Sequence, residues 1–202
     1  MYVPRHFSVT DSAILHSVIN QHPFGLLISA TEQGPYATHL PWLLDSARGK
    51  HGVLQAHMAK ANPHWQSIGP ETPVLVVFQG PHDYVSPSWY ADPKLVPTWN
   101  YVAVHARGRL RVSDSPEQRA STVGALTERF ESQQQTPWKL ELDEDGRRNM
   151  LDYIVAFEIE IDELLGKFKL NQNRGADDRS GVITELERTN PELARYMQAV
   201  KD

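Results

Sequence analysis

The stretch Tyr101–Val112 (YVAVHARGRLRV) alternates between apolar and polar residues more regularly than any other part of the chain. Its valines and Leu110 share one face, whereas His105 and three arginines share the other. A period of two is typical of a β-strand with one buried face. The stretch therefore predicts a long strand that contributes one side to a hydrophobic core.

Shorter stretches on both sides predict about six strands in all. Pro41 interrupts one of them, which places that strand at a sheet edge or at a break in the ladder. Loops too short for helical crossovers favour antiparallel pairing, and a small barrel closes such a sheet. The predicted fold class is mainly β, a small antiparallel barrel with peripheral helices. The other predicted strands are Gly25–Ser29, Tyr36–Leu44, Gly52–Met58, Pro73–Gln79 and Ile154–Ile161.

Helix signals lie around these strands. Asp11 and Ser115 are predicted caps, and Gln118 is expected to reach back to the N–H of Ser115. Asp143–Arg148 is predicted as a charged turn. Two short helices are predicted in the tail, over Gly181–Arg188 and Pro191–Val200.

Composition limits the classes of function. The 202 residues carry 20 Lys plus Arg against 25 Asp plus Glu, a net charge of −5, which argues against autonomous nucleic-acid binding. The absence of cysteine excludes disulfides and thiolate metal sites, and we expect no metal bound by protein ligands. No apolar run approaches the roughly 20 residues of a membrane span. We therefore expect a cytoplasmic protein without membrane attachment.

The stretch His57–Trp65 (HMAKANPHW) is the strongest candidate for a ligand site. A strand is predicted to end near Met58, and a helix to begin with Asn62 as cap and Pro63 at its first position. Free N–H groups at that helix start, with Lys60 just before it, would suit a phosphate. The alternative is an ordinary capped helix with a solvated lysine.

A second candidate is the aromatic, proline-rich segment Gly80–Tyr90, predicted as a loop, together with Val96–Tyr101. Exposed aromatic rings on a stiff loop suit stacking against a flat ring or contact with another subunit. The alternative is a small satellite core beneath a long loop.

Acidic residues alternate on the last predicted strand, at Glu158, Glu160 and Asp162. They are predicted to lie opposite the arginines of Tyr101–Val112 as cross-strand ion pairs. Such pairing argues against nucleic-acid binding by this row of arginines (Arg107, Arg109 and Arg111).

Six blocks of the chain together resemble the PaiB-type FMN-binding negative transcriptional regulators. Asn171 departs from the family pattern, in which serine is expected. The blocks are Met1–Pro4, Ala37–Pro41, His57–Trp65, Phe78–Tyr90, Val96–Tyr101 and Gly166–Arg174.

The resemblance implies an FMN-binding split β-barrel and a homodimer with FMN at the subunit interface. It implies a barrel over residues 1–165 and a C-terminal extension, residues 166–202, whose short helices pack on it. One strand would run along the isoalloxazine, a second segment would hold the phosphate and ribityl chain, and a third would come from the partner subunit. The segment Lys169–Arg174 is expected to close the site. These cofactor-binding residues are Thr38, His39, Leu40 and Pro41, then His57, Met58, Ala59, Lys60 and Asn62, and then Trp99, Asn100 and Tyr101.

Three functions remain open from the sequence. The first is a flavin-binding negative regulator, which is the activity that the resemblance implies. The second is an FMN-dependent oxidoreductase acting on a small molecule, for which His39, His57 and His82 are only candidate acids or bases and no catalytic residue is assigned. The third is direct DNA binding by the two C-terminal helices, which their mixed charges disfavour.

Overall fold

The computed structural model describes residues 1–69, 72–113, 115–138 and 143–200. Within these ranges the chain forms eight strands, six α-helices and two short 3₁₀ turns. Strands β1 to β8 are Ser8–Val9, Phe24–Thr31, Gly34–Pro41, Leu43–Asp45, Val53–Ala59, Pro73–Val85, Thr98–Ser113 and Ile154–Lys169. Helices α1 to α6 are Ser12–Gln21, His64–Ser67, Pro116–Glu131, Glu144–Leu151, Ala176–Thr189 and Pro191–Ala199. The 3₁₀ turns are Arg5–Phe7 and Pro87–Trp89.

The strands form one antiparallel sheet in the order β3-β2-β6-β7-β8-β5-β4, with β1 added on β8. The two ends of this order, β3 and β4, are consecutive in the chain and are separated only by Trp42. Trp42 is buried, and its main-chain N–H donates to the carbonyl of Pro23 at 2.9 Å. The break predicted at Pro41 is therefore confirmed, because the chain leaves one end of the sheet there and starts the other.

The long strand predicted from Tyr101–Val112 is β7, at the centre of the sheet. Val102, Val104 and Leu110 are buried in the core, as the alternation predicts. On the opposite face Arg109 and Arg111 lie 3.7 and 3.6 Å from Asp162 and Glu160. The cross-strand ion pairs are therefore present.

A bulge changes two of these pairs. The register of β7 on β8 shifts between Arg107 and Gly108, so that Arg107 faces and pairs with Glu163 at 2.8 Å. Glu158 is instead held by both guanidinium nitrogens of Arg48, at 2.9 and 2.8 Å. Alternation alone could not locate the extra residue of a bulge.

Three sequence predictions about local structure are wrong. Gly80–Tyr90 is not all loop, because β6 continues through a bulge to Val85. Asp143–Arg148 is not a turn but the start of α4, where Asp143 accepts a hydrogen bond from the N–H of Gly146 at 2.8 Å. The side chain of Gln118 turns to Glu158 rather than back to the cap. The last strand begins at Ile154 as predicted but runs beyond Ile161 to Lys169.

The C-terminal helices pack on the barrel. Five apolar side chains of α5 and α6 are at most 1% exposed. Asn190, between the two helices, donates to the main-chain carbonyl of His82 at 3.2 Å. A Cβ atom on Gly181 would come within 2.1 Å of the carbonyl oxygen of Trp89, so α5 lies directly on that turn. The buried side chains are Val182, Leu186, Leu193, Ala194 and Met197.

None of the helices described is long and apolar enough to cross a membrane.

Candidate functional site

The predicted phosphate segment forms the end of β5 and the turn after it. The N–H of Lys60 donates to the carbonyl of Tyr153 at 2.7 Å, and the indole N–H of Trp65 donates to the carbonyl of Lys60 at 3.1 Å. These bonds hold the main chain on both sides of Lys60, while its side chain is exposed. No carboxylate among the described residues forms an ion pair with it. The turn therefore presents a positioned positive charge without a partner.

The helix after this turn begins one residue later than predicted, at His64, with Pro63 rather than Asn62 at the N-cap position. Oδ1 of Asn62 still accepts a hydrogen bond from the N–H of His64 at 3.0 Å. However, α2 ends at Ser67 after a single turn. Few aligned peptide dipoles contribute at its start, so any phosphate held here would depend mainly on Lys60.

The turn is joined to β3 by a buried hydrogen-bond network. Nδ2 of Asn62 donates to Oγ1 of Thr38 at 3.3 Å, and the same hydroxyl lies 2.8 Å from Nδ1 of His64. Nε2 of His64 lies 2.9 Å from Oγ of Ser29 on β2. The structure thus brings together Thr38 and Asn62, two of the predicted site residues, through a histidine that the sequence reasoning did not assign.

The imidazole of His64 is completely buried. Burial lowers its pKa below the ordinary histidine value, because the charged form loses its hydration. With a neutral ring, one of the two hydroxyls donates to a ring nitrogen and the other accepts from the ring N–H. Its ring also packs on Tyr36, with centroids 4.5 Å apart.

The outer edge of β3 offers main-chain groups to a ligand. β3 is the last strand in the sheet order and pairs only with β2 among the described strands. Half of its N–H and C=O groups point away from β2. His39 stands on the outer face of β3 and stacks on Phe24, with ring centroids 5.9 Å apart. This edge can therefore exchange hydrogen bonds with the polar rim of a flat heterocycle.

Several predicted site residues have side chains that cannot reach a ligand there. Leu40 and Met58 are core residues, 6% and 3% exposed. Asn100 is completely buried, and its Nδ2 contacts Sδ of Met197 at 3.4 Å. His57 is half-buried, and its buried Nδ1 has no hydrogen-bond partner. Its pKa is lowered by burial.

Trp99, Asn100 and Tyr101 do not approach Lys60 within one chain. Ala59, next to Lys60, pairs with Ile154 of β8, at the level of the C-terminal end of β7. Trp99 lies at the other end of β7, about 45 Å of strand away. The two predicted parts of the site are therefore separate in a single protomer.

A row of side chains links β3 to β8 across the outer face of the sheet. The strand register places His39, Leu26, Val77, His105 and Leu165 side by side on five strands. All but the exposed His39 are half-buried, and Nδ1 of His105 is buried without a partner. Burial lowers the pKa of His105, and the positive charges of the N-terminus and Arg107 add to this effect. The row thus combines three apolar side chains with two histidines, on the face of the sheet that also carries Arg107, Arg109 and Arg111.

Comparison with known proteins places this geometry in a family. Residues 1–163 match the model of a family described as "Putative FMN-binding domain". The chain belongs to this family. FMN is therefore its cofactor, and the resemblance identified in the sequence is confirmed.

Two relatives extend the match over nearly the whole FMN-binding chain. It is 35% identical to "Protease synthase and sporulation protein PAI 2" of Bacillus subtilis, over all of this chain and 97% of the relative. It is 32% identical to an uncharacterised protein of Emericella nidulans, over 93% of this chain and 90% of the relative.

Solved structures confirm the fold of this FMN-binding chain. The flavocytochrome Anf3 of Azotobacter vinelandii superposes with a TM-score of 0.65 at 11% identity, covering 89% of this chain and 78% of that one. The FAD and heme binding protein of Mycobacterium smegmatis gives a TM-score of 0.64 at 16% identity, covering 86% and 78%. The predicted mainly β fold, a split barrel with peripheral helices, is therefore correct.

Proposed function

We propose that the protein is an FMN-binding homodimer that acts as a negative transcriptional regulator of the PaiB type, with FMN in the seam between protomers. The row from His39 to Leu165 carries this proposal. In that row the candidate cofactor strand, β3, lies beside the apolar side chains of Leu26, Val77 and Leu165, which supports contact with a second copy.

The donor set of the site fits FMN. Lys60 would bind the phosphate dianion in a charge-assisted contact, since it has no ion-pair partner among the described residues. The free edge of β3 from Thr38 to Pro41 would bind the polar rim of the isoalloxazine through main-chain N–H and C=O groups. When bound, FMN supplies electron or hydride transfer, and the protein positions it.

A second protomer would supply the aromatic part of the flavin site, which lies far from Lys60 within one chain. Trp99 and Tyr101 lie on the outer face of β7, as His105 does, but far from Lys60. Closing two outer faces against each other would bring the aromatic end of one protomer toward the β3 edge of the other. This supports the assignment of Trp99 and Tyr101 to the partner's side of the site.

The packing of the C-terminal helices supports regulation of transcription through the flavin site rather than through DNA binding by these helices. The apolar faces of α5 and α6 are buried on the barrel, and the acidic Asp178 binds the N–H groups of Ala91 and Asp92 at 2.9 and 3.0 Å. A helix that reads DNA is basic and presents one free face to the major groove, and neither α5 nor α6 is arranged in this way. We therefore infer that any effect on transcription depends on the flavin and not on these helices.

Two measurements test the proposal. Apoprotein titrated with FMN should quench flavin fluorescence, and multi-angle light scattering should give twice the mass of the chain. A dissociation constant weaker than about 1 mM, equivalent to about −4 kcal/mol, would contradict flavin binding. A monomer at micromolar concentration would contradict the shared seam.

A second candidate is an FMN-dependent oxidoreductase acting on a small molecule. The packed state of α5 and α6 favours it, because a protein without an available DNA-reading helix can still affect gene expression by changing a metabolite. Anaerobic addition of NADPH should bleach the bound flavin if the protein is an oxidoreductase. Unchanged flavin absorbance across a panel of donors would favour the regulator.

A further inference from the structure

A cavity of about 720 Å³ lies between α3, α4 and the segment that follows α3. The residues that α3 contributes to it recur every three or four positions, which places them on one face of the helix. The volume is within the range of sites that hold small organic molecules. These residues of α3 are Ala120, Val123, Gly124, Thr127, Glu128 and Glu131.

Large apolar side chains form the rest of the wall of this α3–α4 cavity. Trp138 and Met150 are 56% and 60% exposed, and Pro137 and Leu151 lie beside them. Exposed apolar side chains gathered around one cavity, with polar groups at its rim, are typical of a binding site. The wall therefore favours a ligand with an apolar body.

Gly124 keeps the α3 side of the cavity open. A Cβ atom at this position would meet no atom within 4 Å. Glycine is a poor residue for the interior of a helix, and no close contact requires it here. A larger side chain at this position would therefore enter the cavity without a clash, which provides a way to fill it.

The polar groups of the cavity are acidic. Glu128 is exposed and forms no ion pair within the part of the chain that the structure describes. Glu131 is half-buried and accepts a hydrogen bond from the main-chain N–H of Trp138 at 2.6 Å, which holds the aromatic wall against the end of α3. No lysine or arginine is among the described lining residues. Two carboxylates beside an indole ring attract a cation and repel an anion.

Position and charge separate this cavity from the flavin site. None of its described lining residues is a predicted cofactor-binding residue or belongs to Lys169–Arg174. Helices α3 and α4 build it, whereas the flavin segments lie on β3, on β7 and at the end of β5. The phosphate of FMN would meet the carboxylates of Glu128 and Glu131 there and be repelled.

We propose that the α3–α4 cavity binds a lipophilic organic cation, whose apolar body fills the cavity and whose charge lies beside Glu128, Glu131 and the indole of Trp138. All of these groups belong to one chain, so the site needs neither FMN nor a second protomer. The inference is therefore independent of the proposed function.

Two probes of nearly equal size and shape but opposite charge test the charge preference. Tetraphenylphosphonium and tetraphenylborate are titrated by calorimetry into the FMN-loaded protein, and we expect the cation to bind at least tenfold more tightly. Glu128→Gln/Glu131→Gln removes both charges but keeps an oxygen that can accept from Trp138, and it should weaken binding of the cation about tenfold. Glu32→Gln/Asp177→Asn, which removes two exposed carboxylates elsewhere, should stay within about twofold of wild type.

A cavity-filling variant tests the location. Gly124→Leu keeps both carboxylates and should weaken binding of tetraphenylphosphonium at least tenfold, with unchanged circular dichroism and FMN affinity. Gly124→Ala adds a single methyl group and is the matched control, which should bind the cation within about threefold of wild type.

Four outcomes would overturn the inference. They are equal affinity for the two probes, a dissociation constant for the cation weaker than about 1 mM, wild-type affinity in Gly124→Leu, and displacement of the cation by FMN. The last of these would assign the cavity to the flavin site. If the wild type fails to bind FMN, the proposed function fails instead, and titration of the same protein with the two probes still decides the inference.

Discussion

Oγ1 of Thr38 lies 2.8 Å from Nδ1 of His64 and accepts a hydrogen bond from Asn62. This hydroxyl joins the candidate cofactor strand β3 to the turn that carries Lys60. Because His64 is also held by Ser29, the turn is fixed from inside the barrel. The turn that carries Lys60 is thus joined to β2 and β3 through a completely buried imidazole.

Replacing Thr38 by valine should destabilise the fold. Thr38→Val keeps the shape of the side chain but removes partners of His64 and Asn62, and leaving such buried groups unpaired costs about 1–3 kcal/mol. Urea unfolding measures the loss. Thr184→Val, at an exposed position on α5, is the control and should change the free energy of unfolding by less than about 0.5 kcal/mol. Equal effects of the two variants would contradict the network.

The burial of His64 predicts that mild acid destabilises the protein. Its pKa in the folded state lies below the ordinary value of 6.5, at which it titrates in the unfolded chain. Its contribution to stability is therefore complete above pH 6.5 and is lost as the pH falls below it, since the unfolded chain takes up the proton first. His57 and His105 act in the same direction. Denaturant unfolding from pH 7.5 to 5 should show a shallower decline for His64→Gln than for wild type.

Removing the charge of Lys60 should weaken FMN binding specifically. Lys60→Ala loses a charge-assisted contact to the phosphate, which is worth about 1–3 kcal/mol, or roughly five- to 150-fold in affinity. Riboflavin, which has no phosphate, should bind the variant and the wild type equally. Lys50→Ala is the control for net charge. An unchanged FMN affinity in Lys60→Ala would move the phosphate elsewhere.

Two helical glycines should respond in opposite ways to alanine. A Cβ on Gly181 would come within 2.1 Å of the carbonyl oxygen of Trp89, so Gly181→Ala should push α5 off that turn and cost about 1–3 kcal/mol. Gly124 of α3 has nothing within 4 Å of such an atom, so Gly124→Ala should stabilise by up to about 1 kcal/mol. Melting temperatures of the two variants measure this difference. A stable Gly181→Ala protein would contradict the close packing of α5.

Patterns over a few neighbouring residues, such as alternation and helix caps, were sufficient to predict much of the fold. Alternation in Tyr101–Val112 predicts the buried face of β7 correctly as far as Leu110, whereas Val112, near the end of the strand, is 41% exposed. Asp11 and Ser115 cap their helices as expected. The failures come from longer-range effects. No local rule reveals that β6 passes a bulge and continues to Val85, because that extension is stabilised by pairing with β7.

The sequence predicted which segments form the candidate site, but it did not predict which side chains contact each other there. Lys60 and Asn62 follow from strand-end and capping rules. His64 does not, because its partners Ser29 and Thr38 lie 35 and 26 residues away. The nearness of Arg174 to Lys169 was also not predicted, because it depends on the turn after β8. In that turn Asn171 has a positive φ of 63°, which asparagine tolerates better than the serine expected from the family pattern.

Sharing of each flavin site between two protomers can be tested directly with two complementary variants. Lys60→Ala and Trp99→Ala chains, each with its own affinity tag, are co-expressed, and the heterodimer is isolated through both tags. One of its two sites then has both substitutions and the other has neither. Both homodimeric variants should bind FMN weakly, whereas the heterodimer should bind one FMN with wild-type affinity. A heterodimer without a wild-type site, or a protein that yields no heterodimer, would contradict a shared site.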